Sequence, residues 1–331
     1  MKRKITALIL AAAIFTAAAP AFAANTERIT PEYEFDENLI KAHTVSNASV
    51  FSDAAELSEA EEFLVRFEIL TGYEDGTLRL ENTITRAEAA AMLVRIACTK
   101  ESVESIETTY DKDGIAELQK EAGISGMEWE YEGFTDVELD SWYHPYVYYS
   151  KRIDWINGYE DGSFRPENRV TEIEFVCMLE KLLGYSERIE AEGGWQDGVL
   201  AVNELLDIAD NPTDEPLTRA RMCETAFNTL NANIVVQMGT SYNAASDTVE
   251  NEFSEGPTLM NRKGQFKLHG TITEVSDKTV VFVPAEDYDL DSEYKLNAGT
   301  EYTFLKGYSD ITAGEFDVYV DLDNDTLVFT L

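Results

Sequence analysis

The sequence predicts a multidomain protein, in which a mainly α-helical part built from three repeated units is followed by a small all-β domain, a barrel or a sandwich. Two observations carry this prediction. Residues 72–93 align without a gap onto residues 158–179, and 12 of the 22 aligned positions are identical, as expected for an internal repeat. Apolar residues follow a helical spacing through the repeats, whereas beyond residue 264 they alternate with polar residues.

The N-terminus has the features of a signal peptide. Basic residues 2–4 precede the apolar run 5–19, and Ala21-Phe22-Ala23 supplies the small residues that signal peptidase recognises. We therefore predict a signal peptide over residues 1–23, followed by an N-terminal extension over 24–49. An uncleaved anchor is disfavoured because the apolar run is short for a bilayer span. We expect a secreted protein with no membrane contact after cleavage.

The composition narrows the range of partners. The chain has 63 Asp and Glu against 26 Lys and Arg, a formal net charge of -37. Nucleic acid is excluded as a partner because phosphate binding needs a basic surface. An anionic wall polymer would also be repelled at long range, so its binding would require a local basic site.

Each repeat is predicted to contain a helix, a glycine-bearing loop and a second helix. Repeat 1 covers residues 50–98 and repeat 2 covers 134–185, and each first helix follows an aromatic residue and an aspartate, in Phe51-Ser52-Asp53 and Phe134-Thr135-Asp136. A divergent repeat 3, over 186–235, has lost the Gly-Tyr-x-Asp-Gly segment of the loop. Three such helix pairs could cover one another's apolar faces, whereas one pair alone could not.

The second helices of repeats 1 and 2 have a recognisable start. Thr85 with Glu88, and Thr171 with Glu174, have the spacing of a capping box. In this motif the hydroxyl accepts from the backbone N–H three residues on, and the carboxylate accepts from the N–H of the threonine. We predict that both helices begin at these threonines.

Taken together, these motifs resemble the S-layer homology family. The pattern Phe-x-Asp, Trp, Gly-Tyr-x-Asp-Gly-x-Phe-x-Pro and Ile/Val-Thr-Arg-Ala-Glu recurs over about residues 50–232, with the complete Thr85-Arg86-Ala87-Glu88 in repeat 1. The resemblance implies a pseudo-threefold helical bundle whose inter-repeat grooves bind secondary cell-wall polysaccharide, a peptidoglycan-linked glycan that is often pyruvylated. It also implies a non-catalytic protein held non-covalently at the cell wall or S-layer of a bacterium with a Gram-positive-type wall.

Arg86 and Arg219 follow the helix-starting threonines, and neither a cap nor a core requires them. A guanidinium is suited to gripping a carboxylate such as that of a pyruvyl ketal, and an inter-repeat salt bridge is the alternative. Repeat 2 has Glu172 at this position. One of the three grooves is therefore expected to differ from the family pattern.

Four further residues are candidates for polysaccharide binding. The face of Trp142 could stack on a sugar ring, or the side chain could lie in the core. The resemblance implies that Asp53 and Asp136 accept sugar hydroxyls, and a helix N-cap role is the alternative. Gly158 has a structural explanation in backbone freedom, although a glycine also lets a ligand approach the backbone closely.

The segments outside the repeats are predicted from composition and periodicity. An acidic insertion over 99–133 is expected to be a surface excursion, and residues 236–264 are expected to form a polar linker. In the β domain, over 265–331, a hairpin is predicted with strands at 266–275 and 279–283. The remaining strands are predicted at 302–305, 316–320 and 327–331.

No catalytic, metal or cofactor site is predicted. The three histidines are isolated, and no metalloprotease, nucleophile-elbow or phosphate-loop motif occurs. A glycosidase with two carboxylates in the β domain stays open as an alternative. Asp321 to Asp325 begins like a calcium loop but lacks its sixth-position glycine, so an acidic turn is favoured. Cys98, Cys177 and Cys223 are expected to be buried apolar side chains.

A scaffold is the competing function. In this hypothesis the divergent repeats no longer bind glycan and present the β domain to a protein partner.

Overall fold

The computed structural model describes most of the chain beyond the N-terminal region. The described residues are 51–53, 56–121, 133–243, 248–290, 295–307, 311–322 and 326–330. The predicted signal peptide and N-terminal extension lie outside them, as does the centre of the predicted acidic turn at residues 323–325.

Helices form the first part of the described chain. In repeat 1 they are α1 (Glu59–Arg66) and α2 (Arg86–Ala97), and the insertion adds α3 (Lys100–Tyr110) and α4 (Lys112–Glu121). Repeat 2 contributes α5 (His144–Arg152) and α6 (Glu172–Leu182), and repeat 3 contributes α7 (Ser186–Ala191), α8 (Asp197–Leu206) and α9 (Arg219–Asn231).

Capping boxes start the second helices of repeats 1 and 2, as predicted. The Thr85 hydroxyl accepts from the Glu88 N–H at 3.2 Å, and the Glu88 carboxylate accepts from the Thr85 N–H at 2.8 Å. Thr171 and Glu174 make the same pair of bonds before α6. In repeat 3 the Thr218 hydroxyl caps α9 alone, because Arg221 stands where the other repeats have glutamate.

Three backbone hydrogen bonds join the repeats in a cycle. The Ile84 N–H donates to the Leu217 carbonyl at 3.0 Å, the Leu217 N–H to the Val170 carbonyl at 2.9 Å, and the Val170 N–H to the Ile84 carbonyl at 3.2 Å. Each of these residues directly precedes the capping threonine of its repeat. The three helix starts therefore meet at one point, each in contact with the other two.

A second set of bonds runs around the same cycle with donors and acceptors in the opposite order. The first two N–H groups of each capped helix have no partner inside the helix, and here they donate to the loop of the next repeat. Those of α2 reach repeat 2, those of α6 reach repeat 3 and those of α9 reach repeat 1. The acceptors are the carbonyls of Asn168 and Pro166, Glu215 and Thr213, and Asn82 and Leu80.

The described part of the acidic insertion is helical and packs on the repeats. Residues 100–121 form two helices, and Ile106 and Tyr110 of α3 are buried with Val94 and Tyr146 in one apolar cluster. The spacing of 106 and 110 places both side chains on one helix face, which explains why α3 packs against repeats 1 and 2. Residues 122–132 lie outside the described part of the chain.

The predicted polar linker is instead a hairpin and a short helix. Strands β1 (Asn233–Asn243) and β2 (Thr248–Thr258) pair in antiparallel fashion, and α10 (Leu259–Arg262) follows. The prediction was wrong because it relied on the polar composition, whereas backbone pairing provides most of this structure. Ile234 at the start of β1 is buried in the core of the repeats, together with both leading residues of α10.

The C-terminal strands form separate sheets, which confirms the multidomain prediction. Five of them close in the order β3-β4-β7-β9-β8, and β5 pairs with β6. The strands are β3 (Gln265–Val275), β4 (Thr279–Pro284), β5 (Tyr288–Asp289), β6 (Lys295–Leu296), β7 (Tyr302–Lys306), β8 (Gly314–Asp321) and β9 (Thr326–Thr330). The predicted hairpin and the three further predicted strands are therefore all present.

The β domain packs on the repeats through one strand face. Alternate residues of β3, including Leu268 and Ile272, fill the interior of the closed sheet. Tyr319 of β8 is buried against α1, with its ring centroid 4.8 Å from that of Phe63.

A buried lysine lies just before β3. The Lys263 ammonium donates to the Arg95 carbonyl, near the end of α2, at 3.2 Å. Burial lowers the pKa of this lysine to about 8.

Candidate functional site

Two positions in each capped helix decide how neighbouring repeats contact one another. The first is the residue after the capping threonine, which is Arg86, Glu172 or Arg219. The second lies two residues further on and is Glu88, Glu174 or Arg221. The first position of one repeat faces the second position of the next repeat in the cycle, so the three interfaces can be compared directly.

The interface between repeats 1 and 2 is closed by an ion pair. The Arg86 guanidinium donates to the Glu174 carboxylate at 2.9 Å, and it also donates to the carbonyls of Phe164 and Asn157, both at 2.9 Å. Only 5% of the Arg86 surface is exposed. The structure therefore places Arg86 in an inter-repeat salt bridge, the alternative to ligand binding.

Between repeats 2 and 3 the charges are exchanged. Glu172 replaces the arginine, and its carboxylate lies 3.3 Å from the Arg221 guanidinium. The same carboxylate accepts hydrogen bonds from Thr213. Arg221 was not among the residues predicted from the sequence, although an arginine at the position of a capping-box glutamate indicates this exchange.

The third interface, between repeats 3 and 1, is open. Glu88 accepts from the Tyr73 hydroxyl at 2.9 Å and makes no ion pair with Arg219 among the described contacts. Burial raises the pKa of Tyr73, so its hydroxyl stays a donor. Arg219 donates to the Thr71 carbonyl at 2.6 Å, but its Nε, in a side chain only 8% exposed, has no hydrogen-bond partner in the described structure.

Arg219 lines a groove with a volume of about 180 Å³, which we call the Arg219 groove. Arg95 lies in its wall, held by Thr71 at 3.1 Å and by the Tyr146 hydroxyl at 3.3 Å, and makes no ion pair with the described residues. The full lining is Leu70, Thr71, Gly72, Tyr73, Glu88, Ala91, Met92, Arg95, Trp142, Arg219 and Met222. The groove thus combines two guanidinium groups with one carboxylate.

Trp142 also lines the Arg219 groove. Its side chain is 57% exposed, so the alternative prediction that it lies in the core is wrong. Its ring meets that of Tyr143 edge to face, with centroids 5.5 Å apart. The structure therefore brings Trp142 of repeat 2 and Arg219 of repeat 3 to one groove beside the loop of repeat 1.

Asp53 and Asp136 hold loops rather than helix ends. The Asp136 carboxylate accepts from the N–H groups of Phe164 and Arg165, at 2.7 and 2.8 Å. Asp53 accepts in the same way from residues 78 and 79, and these bonds lower its pKa. The alternative that they are helix N-caps is wrong, and neither residue lines the Arg219 groove.

Gly158 is required by close packing. A Cβ at this position would lie 2.3 Å from Cε1 of Phe134 and 2.6 Å from the Ser163 carbonyl oxygen. Its φ is not positive, so backbone freedom, the explanation given from sequence, is not the reason. Gly158 does not line the Arg219 groove, so its assignment to polysaccharide binding stays a prediction.

Replacing Gly158 with alanine is expected to lower the free energy of unfolding by about 2 kcal/mol, because the backbone contact with Ser163 cannot relax cheaply. Gly76→Asn is the control, since nothing lies within 4 Å of a Cβ at Gly76 and asparagine tolerates a positive φ. Chemical denaturation measures both variants. A Gly158→Ala protein as stable as the parent would contradict the packing role.

The described part of the chain has few other features of a chemical site. No group of three or more His, Cys, Asp or Glu residues there could hold a metal ion. All three cysteines are free, with Cys223 buried and the other two half-buried. No helix among the described residues is long and apolar enough to cross a membrane.

Comparison with known families finds a match in two segments of the chain. The family model described as S-layer homology domain matches residues 51–90 and 133–176. The chain contains S-layer homology domains. The matched segments include the loops and the capped helix starts of repeats 1 and 2. Repeat 3 lies outside these segments, although it takes part in the same cycle of backbone hydrogen bonds.

Several curated proteins are similar to this chain. The middle cell wall protein of Brevibacillus brevis is 25% identical over 240 residues, which is 72% of this chain and 19% of that protein. The surface layer protein of Brevibacillus choshinensis is 24% identical over 63% of this chain and 15% of its own length. A cellulosome-anchoring protein of Acetivibrio thermocellus is 27% identical over 37% of this chain and 22% of that protein. The chain thus spans less than a quarter of each relative.

Proposed function

We propose that this chain is a non-catalytic cell-surface protein that attaches non-covalently to the bacterial wall by binding secondary cell-wall polysaccharide. The main support for the proposal is the environment of the Arg219 guanidinium. Its buried Nε has no hydrogen-bond acceptor among the residues that the structure describes, and Arg219 shares a groove with the exposed Trp142. The Arg219 guanidinium and the Trp142 indole together suit an anionic sugar, because a guanidinium binds a carboxylate and an indole face can pack on a sugar ring.

A pyruvylated saccharide is the ligand that we propose for the Arg219 groove. Its ketal carboxylate would accept hydrogen bonds from Arg219, with Arg95 adding a second positive charge in the same groove. The other two interfaces already use their guanidinium groups in ion pairs, through Glu174 and Glu172. We therefore propose one glycan per chain, bound at the open interface of a pseudo-threefold arrangement of repeats.

The wall of a bacterium with a Gram-positive-type envelope is the proposed location. The predicted signal peptide over 1–23 supports export, and the similar proteins carry names of wall, surface-layer and anchoring proteins. The net charge of -37 repels an anionic polymer from most of the surface. Binding is therefore expected only at a local basic site, such as the groove that Arg95 and Arg219 line.

Binding to purified wall sacculi tests the proposal. We expect the protein to sediment with sacculi and to lose this binding after hydrofluoric acid removes the polysaccharide. Binding that survives the acid would contradict glycan recognition. Absence of binding in both cases would favour the scaffold hypothesis, in which the repeats present the β domain to a protein partner.

Trp142→Ala is expected to weaken binding to sacculi about tenfold, because loss of the indole removes the apolar face on which the C–H groups of a sugar ring pack, and a loss of about 1.4 kcal/mol is a tenfold change in affinity. Trp195→Ala is the matched control, since Trp195 is 55% exposed and does not line the groove. Co-sedimentation at several protein concentrations measures both. Equal losses in the two variants would contradict a role for the Arg219 groove.

A further inference from the structure

The acidic insertion contacts a tyrosine that lies behind the Arg219 groove. Tyr146, in α5, is 4% exposed and belongs to the apolar cluster that also contains Ile106 and Tyr110 of α3. Its hydroxyl donates to the Glu107 carboxylate, which α3 carries as well. Because Ile106 and Tyr110 already bury one face of α3, the helix has apolar contacts that hold it in place without this hydrogen bond.

The same hydroxyl contacts an arginine of the groove. The Arg95 guanidinium, in the groove wall, donates to the Tyr146 hydroxyl oxygen at 3.3 Å and to the Thr71 hydroxyl at 3.1 Å. Its central carbon lies 5.6 Å from the centroid of the Tyr146 ring. Glu107, Tyr146 and Arg95 therefore form a chain of hydrogen bonds that leads from the insertion to the groove.

This chain of hydrogen bonds has a fixed direction. A tyrosine hydroxyl has one proton to donate, and its oxygen can accept at the same time. Because the proton of Tyr146 goes to the Glu107 carboxylate, the oxygen is turned to accept from Arg95. A hydrogen bond to a charged acceptor is stronger than a neutral one, and neighbouring bonds in a chain polarise each other. Glu107 therefore determines the orientation of the hydroxyl that holds Arg95.

Tyr146 also contacts the tryptophan of the groove. Its ring meets that of Trp142 edge to face, with centroids 6.3 Å apart and an angle of 65° between the ring planes. Trp142 and Arg95 both line the Arg219 groove, whereas Tyr146 and Glu107 do not. Two groups that would contact the glycan thus lie against one buried side chain, whose hydroxyl is held from the insertion.

We propose that Glu107 is a positioning residue for the Arg219 groove, which acts through the Tyr146 hydroxyl on the Arg95 guanidinium. The inference rests on the proposed function, because the position of Arg95 matters for affinity only if the groove binds an anion. A long side chain that is ordered before the ligand arrives loses less rotamer freedom on binding, which raises the affinity. The acidic insertion thus contributes to glycan binding without lining the groove.

The sign of one substitution separates positioning from a simple effect of charge. A carboxylate near a groove that binds an anion weakens binding through its field, so its removal alone would strengthen binding. Positioning predicts the opposite. We expect Glu107→Gln to weaken binding to purified wall sacculi about fivefold, as for the loss of one hydrogen bond of ordinary strength.

Tyr146→Phe removes the hydroxyl and keeps the ring that lies against Trp142. It should weaken binding to sacculi by a similar factor. The double variant of Glu107→Gln with Tyr146→Phe should bind no more weakly than either single variant, because both substitutions break the same link to Arg95. Co-sedimentation with sacculi at several protein concentrations measures the three affinities.

Glu104→Gln is the matched control, because Glu104 is an exposed residue of the same helix and its substitution makes the same change in charge. A second measurement needs no ligand, since the guanidinium signal of Arg95 in a nuclear magnetic resonance spectrum reports the surroundings of this side chain. Glu107→Gln and Tyr146→Phe should both shift that signal, whereas Glu104→Gln should leave it in place.

Unchanged or tighter binding by Glu107→Gln would overturn the proposal. Additive losses in the double variant, an equal loss in Glu104→Gln, or an Arg95 signal that Glu107→Gln does not shift would overturn it as well. If the parent protein does not bind sacculi, the proposed function fails and this inference fails with it. If the parent binds and Glu107→Gln binds equally well, only the positioning role is contradicted.

Discussion

Glu180→Leu is expected to raise the free energy of unfolding by about 3 kcal/mol at pH 7. Glu180 lies in α6, is fully buried, and neither carboxyl oxygen has a hydrogen-bond partner in the described structure. Burial raises the pKa of this carboxyl from its usual 4.5 to about 9. At pH 7 folding must therefore keep a proton on a group that is ionised in the unfolded chain, which costs about 1.4 kcal/mol per pH unit above 4.5.

The sign of the pH dependence follows from the direction of this shift. Because the folded pKa is the higher one, the stability is fully present below pH 4.5 and falls as the pH rises towards about 9. The leucine variant should lose this part of the slope. Urea denaturation of both proteins at several pH values measures the difference. The useful range, from about pH 5 to about pH 9, lies between the pKa of Glu180 in the unfolded chain and its pKa in the folded protein.

Glu180→Gln is the matched control, because it keeps the shape of the side chain and removes only its titration. It should also lose the slope, but it should gain less stability than the leucine variant, since a buried amide without partners still carries a desolvation cost. The equivalent residue of repeat 1, Val94, is apolar and buried. A leucine variant that is less stable, or that keeps the full slope, would contradict the unpaired burial of this acid.

Local features of the fold were the ones that sequence reasoning predicted well. The capping boxes at Thr85 and Thr171 depend on residues three apart, and both are present. The hairpin of β3 and β4 depends on alternation over a short segment and a turn, and it is present as well. In these cases the residues that decide the structure are close together in the chain, so their spacing is sufficient.

Features that depend on distant partners were not predictable in the same way. The Asp136 carboxylate binds N–H groups 28 and 29 residues away, and no local pattern separates this role from a helix cap. The hairpin of β1 and β2 also depends on distant partners. Asn233, the first residue of β1, pairs with Thr258, the last residue of β2, whereas the residues between them have the polar composition of a linker. Long-range pairing overrode a correct observation about polarity.

The candidate site shows the same limit most clearly. Arg86 and Arg219 follow identical capping threonines, and the sequence gives both the same prediction. They differ because Glu174 accepts from Arg86, whereas the equivalent Glu88 accepts from Tyr73. Which carboxylate is free depends on the packing of a neighbouring repeat, so only the structure distinguishes an arginine used within the fold from one available to a ligand.

Arg219→Ala is expected to weaken binding to wall sacculi at least about thirtyfold, while Arg86→Ala is expected to affect mainly stability. Truncating one partner of a buried charged hydrogen bond to a ligand costs about 2–5 kcal/mol in affinity. Within the described part of the chain, the Arg219 side chain makes one hydrogen bond to protein, to the Thr71 carbonyl, so loss of this bond should cost the fold about 1 kcal/mol. Co-sedimentation measures the affinity, and chemical denaturation measures the stability.

Arg86→Ala leaves three acceptors without their donor, including the carboxylate of Glu174, whose side chain is 22% exposed. Breaking such a pair costs about 3 kcal/mol of folding free energy, because the remaining charge stays partly buried. The folded fraction of this variant should still bind sacculi with the affinity of the parent. If Arg86→Ala instead abolished binding in a protein that remained folded, and Arg219→Ala did not, the assignment of the open groove would be reversed, since the guanidinium already paired with Glu174 would then be the one that the glycan requires.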